Sequence, residues 1–369
     1  MSYKKYEMVI RGILGKIESG EWGVGIQILA ERKLAEFFGV SRITVQKALD
    51  ELIERNILER PPNRNGTFVR GDPKSLSGMA SRKESRLVGV AIDDISDSFG
   101  AHILRGIEDC LWNRRYHTII CNVDRNFQKV EDYFLSLSKQ NIDGVISSPV
   151  IENDGYEEKN RTIIDRIDQQ KTPLVLLDRT IPDARRNFVS TNHREASRRL
   201  TTEFIARGKH RRLILVTGVS CSSIAEREEG FFEAVHAAGL EPSEQRIIRL
   251  NDNLLSPELL PDSAYIEEIK RPFMDIEGAD GFVALNGRLL RGAALVLYSM
   301  GFPLSRFTRP DLHGQFAVPL DGVGDTLVSV QPAYQLGYEA ARLLLHSIET
   351  PSSATMQIRL DADVRLFGE

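Results

Sequence analysis

The residues with the clearest chemical purpose stand close together early in the chain. Ser41 precedes Arg42-Ile43-Thr44-Val45-Gln46-Lys47, so Arg42, Thr44, Gln46 and Lys47 gather guanidinium, hydroxyl, amide and ammonium donors within two helical turns. Donors of these types on an exposed helix start suit hydrogen bonds to phosphate oxygens and base edges. Arg64 and Gly66 follow in Pro61-Pro62-Asn63-Arg64-Asn65-Gly66, whose composition demands a turn. Catalytic signatures are not spelled out: the sequence has no Gly-x-Ser-x-Gly elbow, no Gly-x-x-x-x-Gly-Lys-Ser/Thr phosphate loop, no His-Glu-x-x-His and no Gly-x-Gly-x-x-Gly after a strand.

Bulk properties narrow the class. A chain of 369 residues exceeds one compact core and calls for two or three domains. With 41% hydrophobic and 27% charged residues it reads as globular, and no apolar run approaches the roughly 20 residues of a membrane span. Arg11, Lys16 and Glu18 interrupt the first apolar segment, so no secretory signal is read and the cytoplasm is expected. Cys110, Cys121 and Cys221 are far apart without partners at metal-ligand spacing, so no disulfide, metal or cofactor is expected. A net charge of −4 opposes indiscriminate polyanion binding. Residues 1–72 themselves carry 12 Lys+Arg against 10 Asp+Glu, so any nucleic-acid surface must come from placement and not from bulk charge.

The elements that would position these donors can be read from periodicity. Tyr6, Val9, Ile10, Ile13, Leu14 and Ile17 mark a helix over 3–19; Leu34, Ala35 and Phe38 mark another over Glu31–Phe38, stopped at Gly39; Ser41 caps a third whose Val45, Ala48, Leu49 and Leu52 face inward. This is a helix-turn-helix, and Ile57–Arg60 with Gly66–Arg70 add a hairpin wing. The run ILAERKLAEFFGVSRITVQKALDELIERNILER, followed by GTFV, resembles the GntR-type winged helix. The resemblance implies DNA contacts at Arg32, Ser41, Arg42, Thr44, Gln46, Lys47, Arg64 and Gly66: Arg32 and Thr44 on phosphates, Arg42 on guanine, Gln46 on adenine where many relatives carry Arg. Ala30 stands where relatives have Ser, which implies a weaker cap on the second helix.

Gly71 to Ser85 is rich in Gly, Ser and Lys and reads as a linker. Beyond it, strand-like and helical runs alternate twice over, from Leu87–Ile92 to Leu174–Leu177 and again from Phe188–Thr191 to Leu290–Met300, which predicts two α/β lobes facing each other across a cleft. RLVGVAIDDISDSFGAHILRGIED, IDGVISSPV, TPLVLLDR and LVSVQPAYQLGYEAARLLL resemble the LacI/galactose-repressor effector domain over about residues 86–369. The expected fold is therefore an α+β winged helix-turn-helix over 1–71, a linker over 72–85, and a two-lobed α/β periplasmic-binding-protein-like domain with parallel sheets over 86–369. Lobe one would take 86–187 plus 322–349, and lobe two 188–321 plus 350–369.

The joined pair resembles the arabinose-repressor architecture and implies a homodimer on double-stranded operator DNA, released by a sugar-like effector. Effector contacts are expected at Phe99, Asp178, His193, Arg227, Asn286 and Asp321. Arg227 sits in the family's Arg-x-x-Gly-Phe pattern, and its alternative is pairing with Glu226 or Glu229; Asn286 could be a turn residue, Asp178 could pair with Arg179 alone, and Phe99 could be core. His193 could titrate near neutral pH, although a satisfied surface histidine is the commoner case. Asn192-His193 and Asn286-Gly287 depart from the family's pocket carboxylates, so an unusual carbohydrate, another metabolite or a protein partner stays open as the controlling signal, as does activation in place of repression. A transport binding protein and an enzyme are the remaining readings, the first opposed by the DNA-binding head and the second by the missing motifs.

Overall fold

The computed structural model describes residues 2–367 apart from 55–56, 63, 71–84, 139, 153–154, 182–185, 252–254, 256–266, 268, 303–313, 321–324 and 352–353. The chain divides into two compact units, Met1–Glu84 and Ser85–Glu369. The expected linker, 72–85, lies almost wholly outside the described residues. Among those described, no helix is long and apolar enough to cross a membrane.

In the small unit, α1 (Ser2–Glu18), α2 (Glu31–Phe38) and α3 (Arg42–Glu54) enclose a core of Val9, Ile13, Ile17, Leu34, Val45, Leu49 and Leu52. These are the helical-period apolar positions, each hidden from water. Strands β1 (Leu58–Glu59) and β2 (Phe68–Val69) pair antiparallel as the wing, with Leu58 opposite Val69. Gln27 bridges to Phe68 on the far side of β2, so the segment before α2 braces the wing.

The large unit contains two six-stranded sheets. In lobe one, β3 (Leu87–Ile92), β4 (His117–Asn122), β5 (Gly144–Ser147), β6 (Leu174–Leu177) and β7 (Asn187–Thr191) are all parallel. Helices α4 (Ser98–Trp112), α5 (Phe127–Ser138) and α6 (Tyr156–Gln169) make the first three connections, while β6 passes to β7 across residues 178–186 alone. Lobe two begins with α7 (His193–Gly208), β8 (Leu213–Thr217), α8 (Ser222–Ala237), β9 (Arg246–Arg249), β10 (Gly281–Ala284) and α9 (Gly287–Ser299). The strands β11 (Gly314–Pro319) and β12 (Leu327–Val330) then run antiparallel to their neighbours. Lobe two is thus mixed and not parallel throughout, and the seven residues from Leu320 to Thr326 return the chain from β11 to β12 as an antiparallel connection. Of the helical stretch expected near 263–273, residues 263–266 and 268 lie outside the described residues, while Glu267, Ile269 and Lys270 are helical and lead into a 3-10 turn, Arg271–Phe273.

The chain crosses between lobes three times, at positions that differ from the expected 187/188, 321/322 and 349/350. Strand β7 stays in lobe one, so the first crossing is at Asn192. Strand β12 belongs to lobe two, and α10 (Ala333–Glu349) packs in lobe one against α4, placing the second crossing at Gln331-Pro332. Strand β13 (Gln357–Leu360) joins β7 in parallel and β14 (Asp363–Leu366) joins β12, so the third crossing is at Asp361-Ala362. Sheet pairing decides lobe membership here, and a pairing made between segments over 160 residues apart, as at Phe188 and Gln357, leaves no local signal. Hydrogen bonds tie the crossings together: Thr191 Oγ1 donates to Gln331 Oε1 at 3.0 Å and the Asn192 N–H to the Leu360 carbonyl at 2.7 Å.

Helices α7 and α8 meet where α8 carries Gly230. A Cβ there would stand 2.1 Å from the Arg194 carbonyl oxygen, so only glycine allows this approach. Gly230→Ala is expected to cost about 1–3 kcal/mol by overpacking, read as a lower urea midpoint with unchanged secondary structure.

Candidate functional site

The small unit presents its donors on an ordered frame. Gly39, with φ of 63°, ends α2, and the Val40 N–H donates back to the Ala35 carbonyl at 3.0 Å. The Ser41 hydroxyl accepts from the Thr44 N–H at 3.3 Å and shares a hydrogen bond with the Thr44 hydroxyl at 2.8 Å, an N-cap that fixes the first turn of α3. Arg42, Gln46 and Lys47 are exposed on that turn and Thr44 is half-buried. The Arg42 guanidinium lies 3.7 Å from Glu31, an exposed pair of little energetic weight that leaves the side chain available. Arg32 is exposed beside Glu36, and α2 begins at Ala30 without a side-chain cap, as the sequence implied.

At the wing, Gly66 has φ of 124°, and a Cβ would fall 2.1 Å from Gln27 Nε2; that same amide donates to the Asn65 carbonyl at 3.2 Å. Only glycine fits this turn, which carries Arg64 outward over the Phe68 ring at 5.6 Å. The eight expected DNA-contact residues therefore lie on the start of α2, the start of α3 and the wing tip of one compact unit.

In the large unit, residues of both lobes and of the second crossing line a partly open cavity of about 130 Å³. Phe99, Asp97, Arg125, Asp178 and Arg179 line it from lobe one, Cys221, Ser223, Arg227, Asn286 and Arg288 from lobe two, and Gln331 from the crossing. Phe99, Asp178, Arg227 and Asn286 are thus brought together as expected positions. Asp321 lies outside the described residues.

Asp178 ends β6 with φ of 65°, an uncommon conformation for a side-chain-bearing residue. Its N–H donates to the Val189 carbonyl, and its own carbonyl accepts from the Ser190 hydroxyl, so neighbouring strand β7 holds the strain. His193 does not line the cavity. It is 1% exposed and stands behind the wall, its Nδ1 accepting from Arg227 Nε at 3.2 Å and its Nε2 3.5 Å from Asp178. This corrects the surface reading: burial first, then Arg227, holds the imidazole pKa below its ordinary value, so His193 is a neutral spacer. Burial works against the Asp178 carboxylate, but His193, Arg179 and Arg227 outweigh it and hold its pKa at about 2. Arg227 bonds neither Glu226 nor Glu229, which pair with Arg359 and Arg194; its Nη1 donates to the Leu285 carbonyl at 2.6 Å. The Asn286 side chain caps α9 by accepting from the Leu289 N–H at 2.8 Å, so its turn role and its place on the cavity wall coexist. Arg179 is shared by Asp93 at 2.5 Å and Asp178 at 3.6 Å.

Residues 5–69 match the bacterial regulatory proteins of the gntR family, and residues 85–268 match the periplasmic binding proteins and sugar binding domain of the LacI family. A GntR-type DNA-binding domain is joined to a LacI-type domain. The chain is a transcription regulator. Similar proteins align with this chain over most of their length. The HTH-type transcriptional regulator KdgR of Bacillus subtilis is 22% identical over 90% of this chain and 95% of its own. The arabinose metabolism transcriptional repressor of Halalkalibacterium halodurans is 25% identical over 94% and 89%. The fold matches a transcriptional regulator CelR–cellobiose complex with a TM-score of 0.58 at 18% identity, over 92% of this chain and 98% of that one.

Several wall residues of this regulator were missed from sequence: Arg125, Arg288, Ser223 and Gln331. Arg125 follows β4, and Arg288 lies in the first turn of α9 just beyond β10, places where open parallel sheets bind ligands, so position alone could have flagged them. Gln331 gave no such signal because it belongs to a crossing.

Because the native His193 resists protonation while the unfolded one titrates near 6.5, stability is complete above that value and falls as pH drops below it. His193→Gln, whose amide can still accept from Arg227 and donate to Asp178, should flatten the decline in folding free energy between pH 7 and 5 by up to about 1.4 kcal/mol per pH unit. Urea titrations at several pH values provide the check.

Proposed function

We propose that this regulator represses carbohydrate-utilisation genes, its homodimer occupying a palindromic operator until a sugar-like effector in the cleft releases it. The observation that carries this is the convergence of Phe99, Asp178, Arg227 and Asn286 from both lobes on one cleft lined by polar and charged side chains. A ligand touching both lobes biases their relative angle, which is the kind of hinge motion by which two-lobed proteins report occupancy. Phe99 would stack on the sugar ring, Asp178 would accept from hydroxyls, and Arg227 and Asn286 would bind from the other side, with His193 setting the orientation of Arg227.

On DNA, Arg42 and Gln46 would read base edges from the start of α3, with Lys47 beside them, while Arg32, Ser41, Thr44 and the Arg64-Gly66 wing tip would hold the backbone. The protein would work in the cytoplasm and bind its effector without converting it. An Asp178 whose pKa is near 2 and a neutral His193 behind the wall make poor proton shuttles at neutral pH.

Operators recovered by selection from random duplexes allow two tests. Arg42→Ala should lose sequence-specific binding, by about 1–3 kcal/mol per half-site, while melting like the parent. Retained specificity would remove Arg42 from the interface. Arg227→Ala should bind operator normally yet fail to release it on effector addition, as followed by fluorescence anisotropy; unchanged release would refute its place in the effector site.

A further inference from the structure

Arg227 is a buried cation whose direct partners are neutral. Of its five N–H groups, those on Nε and Nη2 meet His193 Nδ1, at 3.2 and 3.1 Å, and Nη1 meets the Leu285 carbonyl. Among the described residues, no carboxylate lies within 4.0 Å of its nitrogens. With the Asp178 carboxylate acting on it only at a distance, beyond His193, a guanidinium 5% exposed is costly to keep charged without an anion in contact.

The rest of the wall shares this bias. Arg125, Arg179 and Arg288 line the same cavity with side chains only 16%, 12% and 20% exposed. Against these four guanidiniums the wall sets two carboxylates, Asp97 and Asp178. One Asp97 oxygen is taken by the Gly100 N–H at the start of α4, and burial raises its pKa. Asp93 and Asp94 stand in an adjoining recess, engaged by Arg179 and Arg288. Counting them brings the cleft only to four against four, with Arg227 still lacking a carboxylate of its own. A neutral polyol would leave this arrangement as it is; an anion would complete it, and guanidinium forks fit carboxylate and phosphate oxygens.

We propose that the effector carries an anionic group, a carboxylate or a phosphate, seated against Arg227. This rests on the reading of the cleft as an effector site and narrows the effector to sugar acids or sugar phosphates.

The test melts the full-length protein with matched sets: glucose, glucuronate and glucose 6-phosphate; galactose and galacturonate; ribose and ribose 5-phosphate. Inorganic phosphate and malonate are added as bare anions, and every anion is compared with sodium chloride at equal ionic strength. An acid or phosphorylated member should raise the melting temperature where its neutral parent does not, and the two arms tell carboxylate from phosphate. In calorimetric titration of that compound, Arg227→Gln and Arg288→Gln should each weaken binding by about tenfold or more. The second variant alters a more exposed position and guards against misfolding of the first. A neutral sugar that shifts the melt as strongly as its acid would overturn the anion yet leave sugar control standing. Binding equally tight to both folded variants would overturn it too. If no anion, bare or attached, acts beyond sodium chloride, the proposal fails and sugar control loses its support with it.

Discussion

The large unit depends on how a guanidinium is kept inside it. Arg227 projects from α8, which Gly230 allows to lie against α7, and the first residue of α7, His193, offers Arg227 a neutral acceptor. The imidazole must then carry its proton on Nε2, facing Asp178 at the end of a lobe-one strand. Arginine in lobe two, histidine at the crossing and aspartate in lobe one thus form one line through the waist of the domain. Each member constrains the next: the carboxylate stays ionised, the imidazole neutral and the guanidinium aimed.

The two units solve different positioning problems with similar means. In the small unit, a serine cap and a glycine-only turn braced by Gln27 present exposed donors without burying them. Exposed charges there cost little and are free to exchange partners. In the large unit the charges are half-buried and paired across the lobes, as in the Arg288–Asp94 contact at 3.1 Å, where any rearrangement is felt by the frame. One surface suits contact with a highly charged polymer and the other suits discrimination of a small molecule.

Legibility from sequence followed the range of the interactions. The three helices of the small unit, the wing and the capping role of Ser41 were readable because periodicity and capping act within a few residues. The alternation of lobe one was readable for the same reason. The crossings were misplaced because Gln357–Leu360 joins Asn187–Thr191 only in space, and the mixed sheet of lobe two went unseen because β10 and β11, unlike the wing strands, pair across a long connection with no tight turn to mark it. His193 was misjudged because its burial comes from Arg227 and Asp178, distant in sequence. Arg227 itself was legible only through resemblance, and its neutral company only through structure.

The order of assembly along the chain has a consequence for biosynthesis. The sheet of lobe one lacks its outermost strand until Gln357–Leu360 has been made, and that of lobe two until Asp363–Leu366 follows. Neither half can close its hydrogen-bonded edge while translation is still passing through the other. Both must wait as open-edged intermediates and finish nearly together, which exposes β7 and β12 to mispairing and makes a truncated product of this gene a candidate for chaperone capture instead of a usable half-protein.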